Sequence, residues 1–378
     1  MPKSIVPARP DAIFFADAHL DTHNWVGYPQ LSGDSISSFT QICDYAIKNK
    51  IGRIIGAGDL IDVTEPSSVV VSTIREAIAR LSDEGIAFYY IQGQHELASP
   101  PWMSAIHSGA KHLHNSYISL ESGQTVYGLD WQPADLLAGA MKRALEYADK
   151  RSIFVCHQVW EEFMGGIAAC EGSLYTVPHV KTVFTGDYHK NVVTRLVTSS
   201  GGTIQVISPG STNLRAINEP VVKYFYVHHI DGSWERKRLT TRKVLAVSID
   251  DDAQLERIVA KLPAVLEKHA AENPAFPNPI LRVKYHADVR ALKVRMKAAA
   301  GDRGYLFFEP YHDAAVENSD TVAARKAVIR GGIPALLGTV AKEQGIDTRP
   351  LVRLLNAESP KDELAAMKQE RLDALKGA

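Results

Sequence analysis

Cysteine is scarce in this chain of 378 residues: Cys43, Cys156 and Cys170 are the only three, and no two are spaced C-x-x-C. An odd count without paired spacing argues against a disulfide-stapled secreted fold and points to a reducing, cytoplasmic setting. Long apolar runs are also missing. None approaches the roughly 18 residues that a membrane helix needs, and the first twelve residues lack the apolar core of a signal peptide, so neither a membrane segment nor a targeting signal is expected. Overall charge is nearly balanced, with 42 Lys and Arg against 43 Asp and Glu. The 45% hydrophobic and 22% charged content is that of an ordinary soluble protein, long enough for two or three domains and a large core.

What the chain does contain is one pattern used five times. The run Ile13-Phe14-Phe15-Ala16 ends in Asp17-Ala18-His19, where residues two apart in an extended segment would point the same way. Arg53 to Gly58 runs into Asp59-Leu60-Ile61-Asp62, and Ala87 to Gly93 into Gln94-His95-Glu96. Ser152 to Cys156 delivers His157, and Thr182 to Gly186 delivers Asp187-Tyr188-His189. The runs are short, β-branched or aromatic, and too continuous for half-exposed strands, so they read as strands buried on both faces. Their C-terminal ends would form one rim, the place where α/β sheets bind ligands. Oxygen and nitrogen donors gathered there suit divalent metals.

These five blocks, in order, resemble the signature of the calcineurin-like metallophosphoesterases, which runs D-x-H, G-D-x-x-D, G-N-H-[DE], a lone H, and G-H-x-H. The resemblance implies a four-layer α/β/β/α sandwich holding two divalent ions. Metal A would take Asp17, His19, Asp59 and His189; metal B would share Asp59 and add Gln94, His157 and Asp187. Gln94 stands where the family has Asn, and Asp187 where it has His. A third carboxylate in place of an imidazole should favour hard ions, Mn²⁺ or else Mg²⁺, over Zn²⁺. The same resemblance makes His95 the residue that faces the phosphate and helps the leaving oxygen depart, and Asp62 the residue that orients His95. Glu96 reads as a supporting or merely loop carboxylate, and His23, His107, His112, His114, His179, His228 and His229 as structural or surface.

Between the strands, helical periodicity covers Ser35 to Asn49, Val69 to Leu81 and Asp135 to Tyr147. From Thr203 the pattern changes to strands over Thr203 to Ser208, Val221 to Ile230 and Trp234 to Arg238. Pro209-Gly210-Ser211, followed by Glu219, is similar to the closing segment of SbcD-type nucleases, DNA-repair exonuclease subunits of bacteria and phages. The expected organisation is a phosphoesterase domain over 1–239, a small α/β capping domain over 240–317 that binds DNA, and a C-terminal helical tail over 318–378 that binds a partner. The expected elements of the cap are strands at Val244 to Ile249, Ile280 to Tyr285 and Tyr305 to Phe308, with helices at Asp252 to His269 and Val289 to Ala299.

Charge follows the same division. Residues 1–235 carry 17 Lys and Arg against 24 Asp and Glu, whereas residues 236–317 carry 15 against 11. An acidic body that metals would offset, joined to a basic segment with Arg236, Lys237, Arg238, Arg242 and Lys243, fits a polyanion held by one part and cut by the other. The family resemblance implies a DNA exonuclease and endonuclease that forms a homodimer and works with an SbcC-type coiled-coil ATPase. Two alternatives remain open on sequence: a phosphatase or phosphodiesterase acting on small molecules or proteins, and a noncatalytic scaffold on the same fold.

Overall fold

The computed structural model describes residues 8–25, 27–146, 152–164, 180–198, 201–286 and 289–311. In chain order its elements are β1 (Pro10–Phe15), α1 (Gly33–Asn49), β2 (Arg53–Ala57), α2 (Ser68–Asp83), β3 (Ala87–Ile91), α3 (Trp102–Ile106), β4 (Ala110–His112), β5 (Ser116–Ser119) and β6 (Thr125–Leu129). Then come α4 (Ala134–Glu146), β7 (Ser152–His157), α5 (Glu161–Met164), β8 (Thr182–Gly186), β9 (Val192–Val197), β10 (Thr203–Ser208), β11 (Tyr224–His229) and β12 (Trp234–Arg238). The last are β13 (Val244–Ile249), α6 (Asp252–Glu272), β14 (Ile280–Tyr285), α7 (Leu292–Ala300) and β15 (Tyr305–Pro310). Cys170 and the helical tail expected over 318–378 lie outside the described residues.

Two six-stranded sheets stack face to face, one ordered β12-β11-β1-β2-β3-β4 and the other β5-β6-β7-β8-β10-β9. Between them lies a dry layer in which Phe14, Ile55 and Ile91 of the first sheet meet Val126, Val155, Phe184 and Ile207 of the second. Phe14 packs its ring 5.2 Å from Phe184 and 4.8 Å from Trp234. Burying each such side chain stabilises the sandwich by roughly 1.5–3 kcal/mol. Helices cover both outer faces. Phe39, Ile42, Cys43 and Ala46 of α1, with Ile74, Ile78 and Leu81 of α2, close the first sheet; Leu137, Met141 and Ala144 of α4 close the second. The result is the expected α/β/β/α order, and it explains why the strand sequences are continuously apolar.

Topology places the five donor blocks. Strands β1, β2 and β3 are adjacent and mutually parallel, so all three end on one edge of the first sheet. Strands β7 and β8 are likewise adjacent and parallel in the second. The two edges are stitched together where Nδ1 of His157, ending β7, bonds the carbonyl of Ala57, ending β2, at 2.7 Å. That close approach needs glycine beside it: a Cβ on Gly58 or Gly186 would collide with the His157 ring.

Residues 244–310 belong to the same compact unit as the sandwich. Their own parallel sheet, β13-β14-β15, is covered by α6 and α7 around Leu255, Leu266, Leu281, Leu292 and Met296. Helix α6 starts where Asp251 accepts a bond from the Gln254 amide, and α7 starts at Leu292, later than periodicity suggests, because Ala291 sits in a left-handed turn. A second apolar cluster joins this layer to the sandwich through Trp25, Leu31, Leu214 and Ile280, with the Tyr28 ring edge-on to Tyr305 and tilted against Phe307. Arg242 completes the joint. It grips Asp34 through Nε and Nη2 at 2.7 and 2.6 Å and lies over the rings of Phe276 and Tyr305.

Candidate metal centre

Asp17 and His19 do not converge by strand alternation, as the extended reading supposes, because β1 has already ended at Phe15. Both instead turn in the left-handed region, at φ 54° and 47°, as do Asp59 at 49° and Asp187 at 72°. Such a conformation costs a non-glycine residue roughly 1–3 kcal/mol and persists where surrounding structure imposes it. Here the imposing structure is a backbone ladder beyond the strand ends: Asp17 N–H to the Gly58 carbonyl at 3.1 Å, His19 N–H to Asp59 at 2.9 Å and Leu20 N–H to Leu60 at 2.9 Å. Four strained donors around one point mark a site built for a purpose other than stability.

Three histidines enter that point with the same orientation. Nδ1 of His19 meets Asp62 Oδ1 at 2.8 Å, Nδ1 of His189 meets Glu219 Oε1 at 2.9 Å, and Nδ1 of His157 meets the Ala57 carbonyl. Each acceptor holds the proton on Nδ1 and turns the lone pair of Nε2 inward, the arrangement of metal-ligating histidines. Apart from Arg215 Nη1, which lies 3.2 Å from His19 Nε2, the inward atoms face one another and carboxylates. His19 Nε2 lies 3.1 Å from His189 Nε2 and 3.7 Å from Asp59 Oδ2, while His157 Nε2 lies 3.4 Å from Asp59 Oδ2 and 3.9 Å from Asp17 Oδ1. Acceptors do not crowd acceptors without a cation to hold them. Asp17 Oδ2, Asp59 Oδ2, His157 Nε2 and Gln94 Oε1 are all buried without a hydrogen-bond partner, which fits a donor set for metal ions.

The electrostatics agree. Burial holds His19 neutral, with its pKa down to about 4, so its lone pair is available at neutral pH. Burial raises Asp17 to about 6. For Asp59 burial pushes upward, but His157, His19 and His95 outweigh it and hold the carboxyl well below the usual range. Burial likewise works against a charged His157, yet Asp59, Asp17 and Asp187 raise it well above an ordinary imidazole. The carboxylates thus demand positive charge at the centre, and a proton on His157 answers part of that demand.

Three groups of donors lie close enough to share an ion among the described residues: Asp17, His19 and His189; Asp17, Asp59 and His157; and His19, Asp59 and His95, the last including a residue expected to lie outside the ligand set. Gln94 and Asp187 meet each other: the Gln94 amide donates to Asp187 Oδ1 at 2.7 Å, while the Asp187 backbone N–H donates to Asp17 Oδ1 at 3.0 Å. The longer glutamine therefore matches the shorter carboxylate opposite it, and its Oε1 is buried without a hydrogen-bond partner. His95 stands at the mouth, about a third exposed, with Nε2 3.7 Å from Asp59 Oδ2 and Nδ1 3.3 Å from the Asp62 carbonyl. Asp62 reaches His95 at 3.3 Å, yet its shorter contacts are to His19 and, at 2.7 Å, to Arg215 Nη2.

Sequence reasoning passed over Arg215 and left the parts played by Glu96, His112 and His114 open. Arg215 enters the site from the irregular segment after β10, which carries no periodicity to flag it. Glu96 is fully buried and bonds the backbone N–H groups of Ile61 and Gly93 at 2.7 and 3.2 Å, tying the second donor loop to the third; burial and then Asp59 raise it to about 8. His112 and His114, expected to be structural or surface residues, gather on Asp130, whose Oδ1 also takes the Gln92 amide at 2.8 Å and so braces the third loop from behind.

An α/β/β/α sandwich whose strand ends converge on this Asp, His and Gln set forms a candidate centre for divalent metal ions. No protein-family pattern matches the chain. It is similar to DNA double-strand break repair protein Mre11 of Methanosarcina acetivorans, 23% identical over 67% of this chain and 43% of the relative. It is also similar to Mre11 of Sulfurisphaera tokodaii, 29% identical over 48% of this chain and 49% of the relative. The uncharacterized metallophosphoesterase YhaO of Bacillus subtilis is 25% identical over 60% and 57%. Among solved structures, a dimetal phosphatase from Danio rerio overlaps 61% of this chain at 11% identity and a TM-score of 0.41, and nothing rests on that overlap. The chain spans about half the length of the curated relatives it matches. These relatives, like the five donor blocks, are those of calcineurin-like metallophosphoesterases, which the chain resembles.

Proposed function

We propose that this chain is a two-metal DNA nuclease subunit of SbcD type, cutting phosphodiester bonds in repair or recombination. The observation that carries the reading is the set of three inward-facing Nε2 atoms interleaved with the Asp17 and Asp59 carboxylates. His19, His189, Asp17 and Asp59 would hold one ion; Asp59, His157, Gln94 and Asp187 would hold the other, with Mn²⁺ preferred and Mg²⁺ the next choice. Ions so held supply an acidified water and neutralise charge gathering on the phosphate oxygens.

The chain's own residues do the rest. The Asp62 oxygens beside His95 are acceptors, so Nδ1 carries a proton, and the imidazolium form then offers the Nε2 proton to the departing oxygen at the open side of the centre. Glu219 and Asp62 keep His189 and His19 in the tautomer the site needs. Residues 240–317, together with Arg238 at the end of β12, are proposed to hold the DNA backbone: Arg238 and Lys243 are exposed and border a cavity of about 420 Å³ with Val221 and Asn273, whereas Arg242 is committed to Asp34. The repair relatives favour DNA over a small phosphoester as substrate. A homodimer, a cytoplasmic location and a coiled-coil ATPase of SbcC type engaged by residues 318–378 belong to the same proposal. No helix among the described residues is long and apolar enough to cross a membrane.

The test is to incubate linear DNA with the Mn²⁺-loaded chain and its His95→Ala variant. The wild type should degrade the DNA; the variant should keep its metal content and lose at least about 100-fold in rate, the usual scale of a proton-transfer catalyst. Loss of metal and activity together would remove His95 from the role given to it.

A further inference from the structure

We propose that Arg215 is a clamp for the scissile phosphate, a role resting on the phosphoesterase reading and not implied by the five donor blocks. Its guanidinium is 12% exposed and sits between two donor groups: Nη2 donates to Asp62 Oδ1 at 2.7 Å and Nη1 lies 3.2 Å from His19 Nε2, while Nε is buried without a partner. The anchor is firm at the backbone too. The Arg215 N–H donates at 3.2 Å to Glu219 Oε2, which also takes Ser211 Oγ at 3.1 Å and Lys223 Nζ at 2.8 Å. The carboxylate that orients His189 therefore also fixes the start of this side chain.

A guanidinium has five N–H donors and no acceptor, so its use is read from which donors are spent. One is spent on Asp62. The Nη1 donor rests against the lone pair of His19, the same lone pair that the centre offers to an ion. Once that lone pair is committed, Nη1 loses its acceptor and stands beside the metal ligands with no protein oxygen assigned to it, and Nε has no partner either. A fixed cation with spare donors next to metal ligands needs an anion that arrives from solution, and the non-bridging oxygens of a phosphate have the charge and the lone pairs to take such a donor. Asp62 acquires a second purpose on this account: it keeps Arg215 from collapsing onto Asp17 or Asp59, where it would compete with metal.

The experiment compares the wild type with Arg215→Gln and Arg215→Lys, all saturated with Mn²⁺. Metal content, binding of inorganic phosphate by calorimetry, and KM and kcat for bis(4-nitrophenyl) phosphate are measured on each. Arg215→Gln should keep its metal content and bind phosphate about 10- to 100-fold more weakly, with KM raised in step, because charge-assisted hydrogen bonds to the anion are removed. Arg215→Lys should fall between, since it keeps the charge but not the fork. Undiminished phosphate binding by metal-replete Arg215→Gln would overturn the clamp. So would loss of metal in Arg215→Gln that Arg215→Lys restores, since Arg215 would then only brace His19 and Asp62. If the wild type binds phosphate through Arg215 but cleaves no phosphodiester, the clamp stands and the nuclease reading fails.

Discussion

Replacing Glu219 with Gln should destabilise the protein and loosen the metal centre together, because one carboxylate serves both. Glu219 accepts from His189, Ser211, Arg215 and Lys223, and the Lys223 ammonium it neutralises is only 2% exposed. Burial alone would raise the Glu219 pKa, but the His189 bond and the Lys223 charge bring it down to about 2 from an ordinary 4.5. A depression of that size corresponds to about 3 kcal/mol of folding stability at neutral pH. Breaking a buried pair by removing one partner costs a similar 3–5 kcal/mol. For a body of this size the expected fall in Tm is roughly 5–10 °C, measured on chelator-treated protein at pH 7. The folded pKa is depressed, so the contribution is complete above about pH 4.5 and is lost as pH falls toward 2. The gap between wild type and variant should close over that window. Freed from Glu219, His189 should also cost the centre about 10- to 100-fold in Mn²⁺ affinity. A Tm within 1–2 °C of wild type, or a gap of equal size at both ends of the window, would refute the reasoning.

The paired change Gln94→Asn with Asp187→His, which restores the usual donors, should keep two ions per chain while shifting preference from Mn²⁺ toward Zn²⁺, as competitive metal loading would show. Gly93→Ala should abolish metal binding and lower Tm, because the added methyl would overlap the Asp59 carboxylate and its backbone nitrogen, as metal analysis and melting would reveal. Truncation after Glu317 should leave metal-dependent nuclease activity largely intact and remove co-purification with the ATPase; retention of full ATPase binding would disprove the role proposed for 318–378.

The donor blocks were legible because each follows a strand buried on both faces, which leaves an unbroken apolar run with a sharp polar end. The bounds of β10, β12, β13 and β14 match their sequence patterns for the same reason: turn residues flank them closely. What periodicity could not show was how Asp17 and His19 converge, since left-handed turns follow from the ladder to the Gly58–Leu60 backbone and not from local preference. It also could not rank the partners of Asp62, whose bonds span 43 and 153 positions in the chain. Arg215 lay in a stretch without period, and only its place between Ser211 and Glu219 hinted at it. The expected strand from Val221 to Ile230 is shorter, Tyr224–His229.

The most direct test of a two-ion centre is the metal content of the purified chain at saturating Mn²⁺, counted by elemental analysis. Two ions per chain are expected, falling to one in His157→Ala, because the second donor set depends on that Nε2. One ion in the wild type, or a count that His157→Ala leaves unchanged, would contradict the account.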